Sequence, residues 1–128
     1  MTEPKWLRLA DVEEIHEEQL ALYGGPPGIR DRGLLESALD RPKNRWGYEQ
    51  GGLPQLAAAY AFGIARNHPF IDGNKRTAFA SLMVFLRYNE VRFAPPSAEA
   101  TAIMLDLAAG MVDEGDLTRW IEAHWPHP

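Results

Sequence analysis

The chain has 128 residues, 45% hydrophobic and 24% charged, which is the composition of an ordinary globular protein and predicts a single domain over residues 1–128. A formal net charge of -5 argues against a generic nucleic-acid binder, so we expect no direct nucleic-acid contact. The absence of cysteine, of a signal-peptide pattern and of a long apolar run predicts a cytoplasmic protein without disulfides, thiolate metal sites or a membrane role.

Apolar residues recur at three- and four-residue steps along most of the chain, which predicts an all-α fold, a compact bundle of about six helices. The predicted helices cover about residues 10–23, 33–39, 53–67, 77–86, 98–110 and 115–124. Arg41-Pro42 is expected to end the second helix, because the residue before proline is pushed out of the helical region. We expect a loop over residues 43–52, and Ser97 is expected to cap the fifth helix.

One of the predicted helices and one loop between helices have a distinctive composition. Residues 77–86 are apolar on nearly every side, which is typical of a helix surrounded by the rest of the protein, so we expect this helix to be the central one. The loop over residues 24–32 is rich in glycine and proline. It cannot continue a helix, so we expect it to be the most irregular segment of the chain.

Nine consecutive residues, 68–76, read His-Pro-Phe-Ile-Asp-Gly-Asn-Lys-Arg. If the fourth helix begins at about Gly73, its first backbone N–H groups have no partner within the helix, and its dipole places partial positive charge there. Gly73 lets a ligand approach the backbone closely, and Asn74 adds a neutral donor. Lys75 and Arg76 add two cations, so the segment predicts a phosphate-binding site.

Two further side chains of this segment are candidates for metal binding and for proton transfer. Asp72 is a candidate ligand for Mg2+, because a single carboxylate suits an ion that is bound mainly through substrate phosphates. His68 is a candidate general base, because an imidazole can accept a proton near neutral pH. Structural roles compete, with Asp72 as a helix N-cap, His68 as a loop histidine, and Lys75 and Arg76 as part of a solvated face. Phe70 is interpreted as an apolar anchor of the loop. Two adjacent cations at a partly buried helix end would be costly without an anion, which favours function.

The segment resembles the motif of the Fic/Doc superfamily, His-x-Phe-x-(Asp/Glu)-(Gly/Ala)-Asn-(Gly/Lys)-x, in its histidine, phenylalanine, acid, glycine and asparagine. Lys75 stands where AMP-transferring Fic proteins usually have glycine, and Phe79 stands where the Fic pattern ends in a second arginine. Both departures resemble the Doc, or death-on-curing, branch. The likeness extends over nearly the whole chain, including residues 14–16, 23–25 and 33–39.

This resemblance implies a compact helical bundle that is the toxin of a toxin–antitoxin module. In such a fold the loop over residues 24–32 is either a flap, with a short β-hairpin, that holds a target protein's backbone beside the site, or a plain connection between helices. It implies a Mg2+- and ATP-dependent kinase that phosphorylates a threonine of elongation factor Tu and stops translation. By matching positions, His68 would be the base and Asp72 would bind the metal. The nucleotide's phosphates would be held by Gly73, Asn74, Lys75 and Arg76. Arg66, just before the motif, would reach the nucleotide as well, or would be a structural arginine at a helix C-terminus.

Other functions stay open. In Fic relatives the same loop presents the α-phosphate to a target hydroxyl, so transfer of AMP competes with transfer of phosphate, and Lys75 favours the kinase. The missing second arginine suits a non-catalytic module that only binds nucleotide or an antitoxin. A metal-dependent hydrolase is disfavoured, because the other histidines have no ligand spacing with His68.

The mode of control also follows from the resemblance. Many Fic proteins inhibit themselves with a helix carrying Ser/Thr-x-x-x-Glu-Gly/Asn, whose glutamate pairs with the second arginine of the motif. Residues 118–123 come close, but Ala123 breaks the pattern and Phe79 removes the partner, so Glu122 is expected to be an ordinary surface residue. Control should then come from an antitoxin, whose amphipathic segment lies in a groove between helices.

Overall fold

The computed structural model describes residues 2–49 and 51–127. Its six helices are α1 (Leu9–Tyr23), α2 (Arg32–Glu49), α3 (Leu53–Asn67), α4 (Asn74–Tyr88), α5 (Ser97–Ala108) and α6 (Glu114–Ala123). Within the described residues there is no sheet, and one isolated antiparallel bridge joins Ile29 to Phe70. The predicted all-α bundle is confirmed. The β-hairpin considered for the loop at residues 24–32 does not form, and this single bridge takes its place.

The helix at the centre of the bundle is α3. Residues 56–61 are all buried, as are Gly63 and Ile64 one turn later. The helix packs against α2, α4, α5 and α6. Its small side chains allow close approach: a Cβ added at Gly63 would lie 3.1 Å from the Cα of Ala38 in α2. Because α3 is rich in alanine, its neighbours can surround it at native packing density.

The fourth helix, which the sequence predicted to be central, is buried along one face only. The buried residues of α4 are Asn74, Thr77, Ala78, Ser81, Leu82, Phe85 and Leu86. A second apolar face is only half-buried, and it consists of Phe79, Ala80, Met83 and Val84. The prediction of a central α4 was wrong, because an apolar helix surface indicates a need for burial and does not show that the same chain covers it.

The second helix is longer than predicted, because α2 continues through Pro42. A proline inside a helix typically costs about 3 kcal/mol. Here Pro42 is buried, while Arg41 and Arg45 bind the two carboxylate oxygens of Glu114 in α6 at 2.6 and 2.8 Å. The shared carboxylate requires the two arginines to lie one helical turn apart. Tertiary packing therefore overrides the local signal that predicted an end at Arg41-Pro42.

Two other boundaries differ from the predictions. The loop predicted over residues 43–52 is helical as far as residue 49, and Gln50 lies outside the described residues. Ser97 is the first residue of α5 and not its cap, since Pro96 occupies the N-cap position and no side chain caps this helix. The other helices lie where the apolar spacing predicted them, with α3 over the same residues. None of the helices in the described ranges is long and apolar enough to cross a bilayer.

Candidate active site

The loop at residues 68–73 joins α3 to α4 through two positions with positive φ. His68 is the C-cap residue of α3 and adopts the left-handed conformation, with φ 50° and ψ 54°, while its N–H donates to the Ile64 carbonyl at 3.3 Å. Gly73, with φ 77°, directly precedes Asn74, the first residue of α4. Glycine adopts such angles freely, whereas a histidine there costs about 1–3 kcal/mol, so the surrounding contacts must hold it.

Asn74 shapes the interior of the loop. Its side chain is only 5% exposed. The Oδ1 atom accepts a hydrogen bond from the Phe70 N–H at 2.9 Å, and Nδ2 donates to the Phe70 carbonyl at 2.9 Å. The same Nδ2 lies 3.3 Å from Nδ1 of His68. The side chain is therefore engaged within the loop, and the group that Asn74 has free for a ligand is its backbone N–H.

The orientation of the His68 ring bears on its predicted role as a base. An amide nitrogen can only donate, so Nδ1 of His68 is the acceptor toward Asn74, and the neutral ring then carries its proton on Nε2. The contact is long, and the histidine is exposed, so the ring can leave Asn74 easily. The lone pair of the neutral ring lies on Nδ1 and faces Asn74. His68 must therefore break this contact before it takes a proton from a hydroxyl.

The first turn of α4 presents free backbone donors. No side chain caps this helix, and its N-cap residue is glycine. Among the described residues, the N–H groups of Gly73, Asn74, Lys75 and Arg76 find no hydrogen-bond acceptor. Together with the helix dipole, these donors favour an anion at this end of the helix.

Asp72 does not act as the cap of α4. Its carboxylate is 49% exposed and lies 3.8 Å from Nη2 of Arg76. Gly25 has a φ of 122°, which favours glycine, and the space where its Cβ would lie is occupied by Oδ2 of Asp72, so this loop passes close to the carboxylate. The described residues contain no cluster of three metal ligands. Mg2+ would still fit here, because it needs one or two carboxylates and takes its other ligands from phosphate and water.

The two cations of the motif differ in how they are held. Arg76 donates from Nη2 to the Gly24 carbonyl at 3.2 Å, and its guanidinium lies 5.4 Å from the Tyr23 ring. Lys75 is exposed at the mouth of a groove between α1, α4 and α5 with a volume of about 570 Å³. A ligand can therefore reach Lys75 directly, whereas Arg76, which lines the same groove, has its Nη2 occupied by the Gly24 carbonyl.

Arg66 lies apart from the loop. Its Nη1 donates to the Leu107 carbonyl at the end of α5 at 3.4 Å, and the guanidinium lies 5.1 Å from the Phe62 ring. Among the described residues, no hydrogen bond or ion pair joins Arg66 to residues 68–76. Arg66 therefore stabilises free carbonyls at the end of α5, and its contact with a nucleotide stays a prediction.

Arg30 is a contributor to the site that the sequence reasoning did not identify. Its guanidinium donates from Nε to the His68 carbonyl at 2.7 Å and from Nη2 to the Asn67 carbonyl at 2.9 Å. Its backbone N–H donates to the Pro69 carbonyl at 2.7 Å. No local pattern marks this residue, because the two guanidinium contacts span 38 and 37 residues of sequence. Arg30 caps α3 and fixes the backbone of His68.

His16 is the second contributor that was missed. It is 4% exposed and stacks on Phe70, with ring centroids 3.8 Å apart and an angle of 9° between the planes. Its Nε2 donates to the Asp72 carbonyl at 2.8 Å. Phe70 is 1% exposed, which confirms its predicted role as an anchor. A signal was present in the sequence, since His16 follows Val12 and Ile15 on the buried face of α1, where a polar side chain needs a partner.

The loop at residues 24–32 runs along the motif. The Gly28 carbonyl accepts from the Ile71 N–H at 3.1 Å, and the Asp31 N–H donates to the Pro69 carbonyl at 3.0 Å. Ile71 itself is exposed beside this loop. The loop therefore forms one wall of the site, and its contacts link its position to that of residues 69–71.

Comparison with known proteins identifies the family. The family model described as the Fic/DOC family matches residues 6–86, which include the whole loop. "Protein kinase doc" of Escherichia phage P1 is 39% identical over 90 residues, covering 68% of this chain and 71% of the relative. "Toxin Doc" of Mycolicibacterium smegmatis is 40% identical over 87 residues, covering 66% of each chain. This chain therefore belongs to the Fic/DOC family and is of the Doc type.

Proposed function

We propose that this protein is the toxin of a toxin–antitoxin module, a Mg2+- and ATP-dependent protein kinase that phosphorylates a threonine of elongation factor Tu in the cytoplasm. The observation that carries the proposal is the uncapped start of α4, where the free amides of residues 73–76 adjoin Asp72 and His68. The relatives named as a protein kinase and as a toxin support the activity and its biological role.

In the proposed reaction the chain binds the phosphates of ATP and orients the terminal one toward a hydroxyl. The free amides and Lys75 hold phosphate oxygens, and Arg76 joins them once it has left the end of α1. Asp72 holds Mg2+, which offsets the negative charge on the phosphates when it is bound. His68, after leaving Asn74, takes the proton of the threonine hydroxyl as that oxygen bonds to the γ-phosphorus and ADP departs.

Lys75 favours the kinase over AMP transfer, and labelled ATP separates the two. The protein is incubated with Mg2+, purified elongation factor Tu and ATP that carries the label at the γ- or the α-phosphate. We expect only the γ label to enter elongation factor Tu. Entry of the α label would show that the protein transfers AMP. The Lys75→Gly variant tests the argument from this residue, because it should weaken γ transfer while the chain stays folded.

A non-catalytic binding module is the second candidate, and the contact between His68 and Asn74 favours it. The lone pair of the ring faces an amide in this arrangement, and Arg76 is held at the end of α1. Expression of the His68→Ala variant in cells distinguishes the candidates. A kinase that uses His68 should no longer arrest growth after this change, whereas a binding module should arrest growth as before.

The proposed antitoxin has a suitable surface along α4. Two adjoining hollows, of about 570 and 900 Å³, run along its half-buried face and share Ala80. Their apolar floor includes Phe79, Ala80, Met83 and Val84. Lys75 lines one end, and Arg87 and Arg92 line the other. An amphipathic helix with an apolar face and acidic ends would match this groove.

We expect the Met83→Asp variant to escape its antitoxin, because a carboxylate in the apolar floor would be buried without a partner. The variant is co-expressed with the antitoxin, and growth is compared with that of cells carrying the wild-type pair. Tyr48→Asp is the matched control, since Tyr48 is exposed on α2, outside the groove. Growth arrest by Met83→Asp and neutralisation of Tyr48→Asp are expected. Equal neutralisation of both variants would show that the antitoxin binds elsewhere.

A further inference from the structure

His16 is buried against the candidate site, yet no step of the proposed reaction uses it. It lies on α1, outside the motif, and reaches the motif with its ring: one face stacks on Phe70, and Nε2 donates to the Asp72 carbonyl at 2.8 Å. With 4% exposure, the ring has little freedom to move away from these two contacts. A buried, directional hydrogen bond of this kind fixes the plane of the peptide that it contacts.

That peptide joins Asp72 to Gly73 and thus links the predicted metal ligand to the start of the anion site. The described peptides contain no cis bond. In a planar trans peptide the carbonyl and the following N–H point in opposite directions. Since the Asp72 carbonyl points at His16, the Gly73 N–H must point away from α1. This N–H has no acceptor among the described residues.

We propose that His16 is a positioning residue for phosphate binding. By holding the Asp72 carbonyl against α1, it aims the Gly73 N–H at the bound phosphate as an additional donor beside the amides of residues 74–76. The inference rests on the proposed nucleotide site and adds a residue to it that lies outside the motif.

Substitutions of His16 can separate its hydrogen bond to the peptide from its packing. A Cβ added at Gly73 would lie 3.7 Å from Cδ2 of His16 and 3.5 Å from Cδ2 of Leu20, so the peptide is in close contact with α1. Phenylalanine can keep the stacking on Phe70 but cannot donate a hydrogen bond. Glutamine can place an amide N–H near the position of Nε2, and asparagine is too short to do so. The three substitutions therefore separate packing from hydrogen bonding.

The test measures binding of pyrophosphate and of MgATP to the full chain by NMR with a uniformly 15N-labelled protein. In the wild type, the Gly73 amide is expected to shift with added pyrophosphate together with the amides of residues 74–76. In His16→Phe, the Kd for both ligands should rise about tenfold, as the loss of one well-placed donor implies. His16→Gln should restore the Kd to within about threefold of the wild type, and His16→Asn should not.

The outcomes separate this inference from the proposed function. If the amides of residues 74–76 respond to pyrophosphate and that of Gly73 does not, His16 does not position the Gly73 N–H for phosphate. The titration of the wild-type protein alone gives this result. Wild-type affinity in a folded His16→Phe, or failure of His16→Gln to restore binding, would also overturn the inference. If none of these amides responds to either ligand, the nucleotide site itself is refuted.

Discussion

The side chains of the motif differ in whether they form hydrogen bonds within the loop. Asn74 uses its amide to hold Phe70, whereas the carboxylate of Asp72 is half exposed and caps no helix. The sequence could not distinguish a structural from a functional Asp72, because both roles place an acid just before a helix. The geometry excludes the cap, since the N-cap position belongs to Gly73, and metal binding by Asp72 stays a prediction.

We expect Arg30→Ala to lower the rate of phosphate transfer by about 10- to 100-fold. Arg30 fixes the backbone of His68, and a small displacement of a proposed base slows a reaction whose groups must be aligned. The kcat of the variant is measured beside its melting temperature. Arg32→Ala is the matched control, since Arg32 forms only exposed ion pairs, with Glu13 and Glu36. A rate equal to that of the control would show that Arg30 does not position His68.

Local sequence signals predicted some helix boundaries correctly, and others depend on residues that are distant in the sequence. The apolar spacing predicted α4 over residues 77–86, and the helix begins one turn earlier, at Asn74, close to the start at Gly73 that the anion-site argument assumed. The extension of α2 through Pro42 was not predicted, because it depends on Glu114, which lies about seventy residues further along the chain. The central position of α3 was missed for a similar reason, since burial depends on which helices pack together.

The link between α2 and α6 should contribute measurably to stability. Glu114→Gln removes the carboxylate that Arg41 and Arg45 share, and we expect the free energy of unfolding to fall by about 1–3 kcal/mol, since both guanidinium groups are partly solvated. Urea unfolding measures the change. Glu122→Gln, on the exposed face of α6, should change the stability by less than about 0.5 kcal/mol. Equal stability of the two variants would contradict this account of α2.

The start of α6 should lose stability in acid. The hydrogen bond from the Asp113 amide, and then that from Arg119, hold the pKa of Asp116 below its usual range. A lowered pKa in the folded state means that the stabilisation is present above the unfolded value, about 3.9, and is lost as the pH falls through the folded value. Asp116→Ala should therefore lower the melting temperature at pH 7 and have little effect once the pH lies below the folded-state pKa of Asp116. A difference that persisted in acid would contradict this explanation.

At the scale of the whole molecule, the site depends on elements that are distant in the sequence. The end of α3 and the start of α4 carry the residues of the motif, and α1 and the loop at residues 24–32 supply His16 and Arg30, which hold the backbone of the motif. The motif was recognisable because its residues are consecutive. Its supports were not, because they come from segments brought close only by the packing of α1 and α2 in the bundle.

The most direct test of the central claim is a mass measurement on purified elongation factor Tu after incubation with the protein, Mg2+ and ATP. We expect elongation factor Tu to gain one phosphoryl group, located on a threonine by peptide fragmentation. With the His68→Ala variant no gain should occur. A gain of AMP, or an unchanged phosphoryl gain with His68→Ala, would contradict the account.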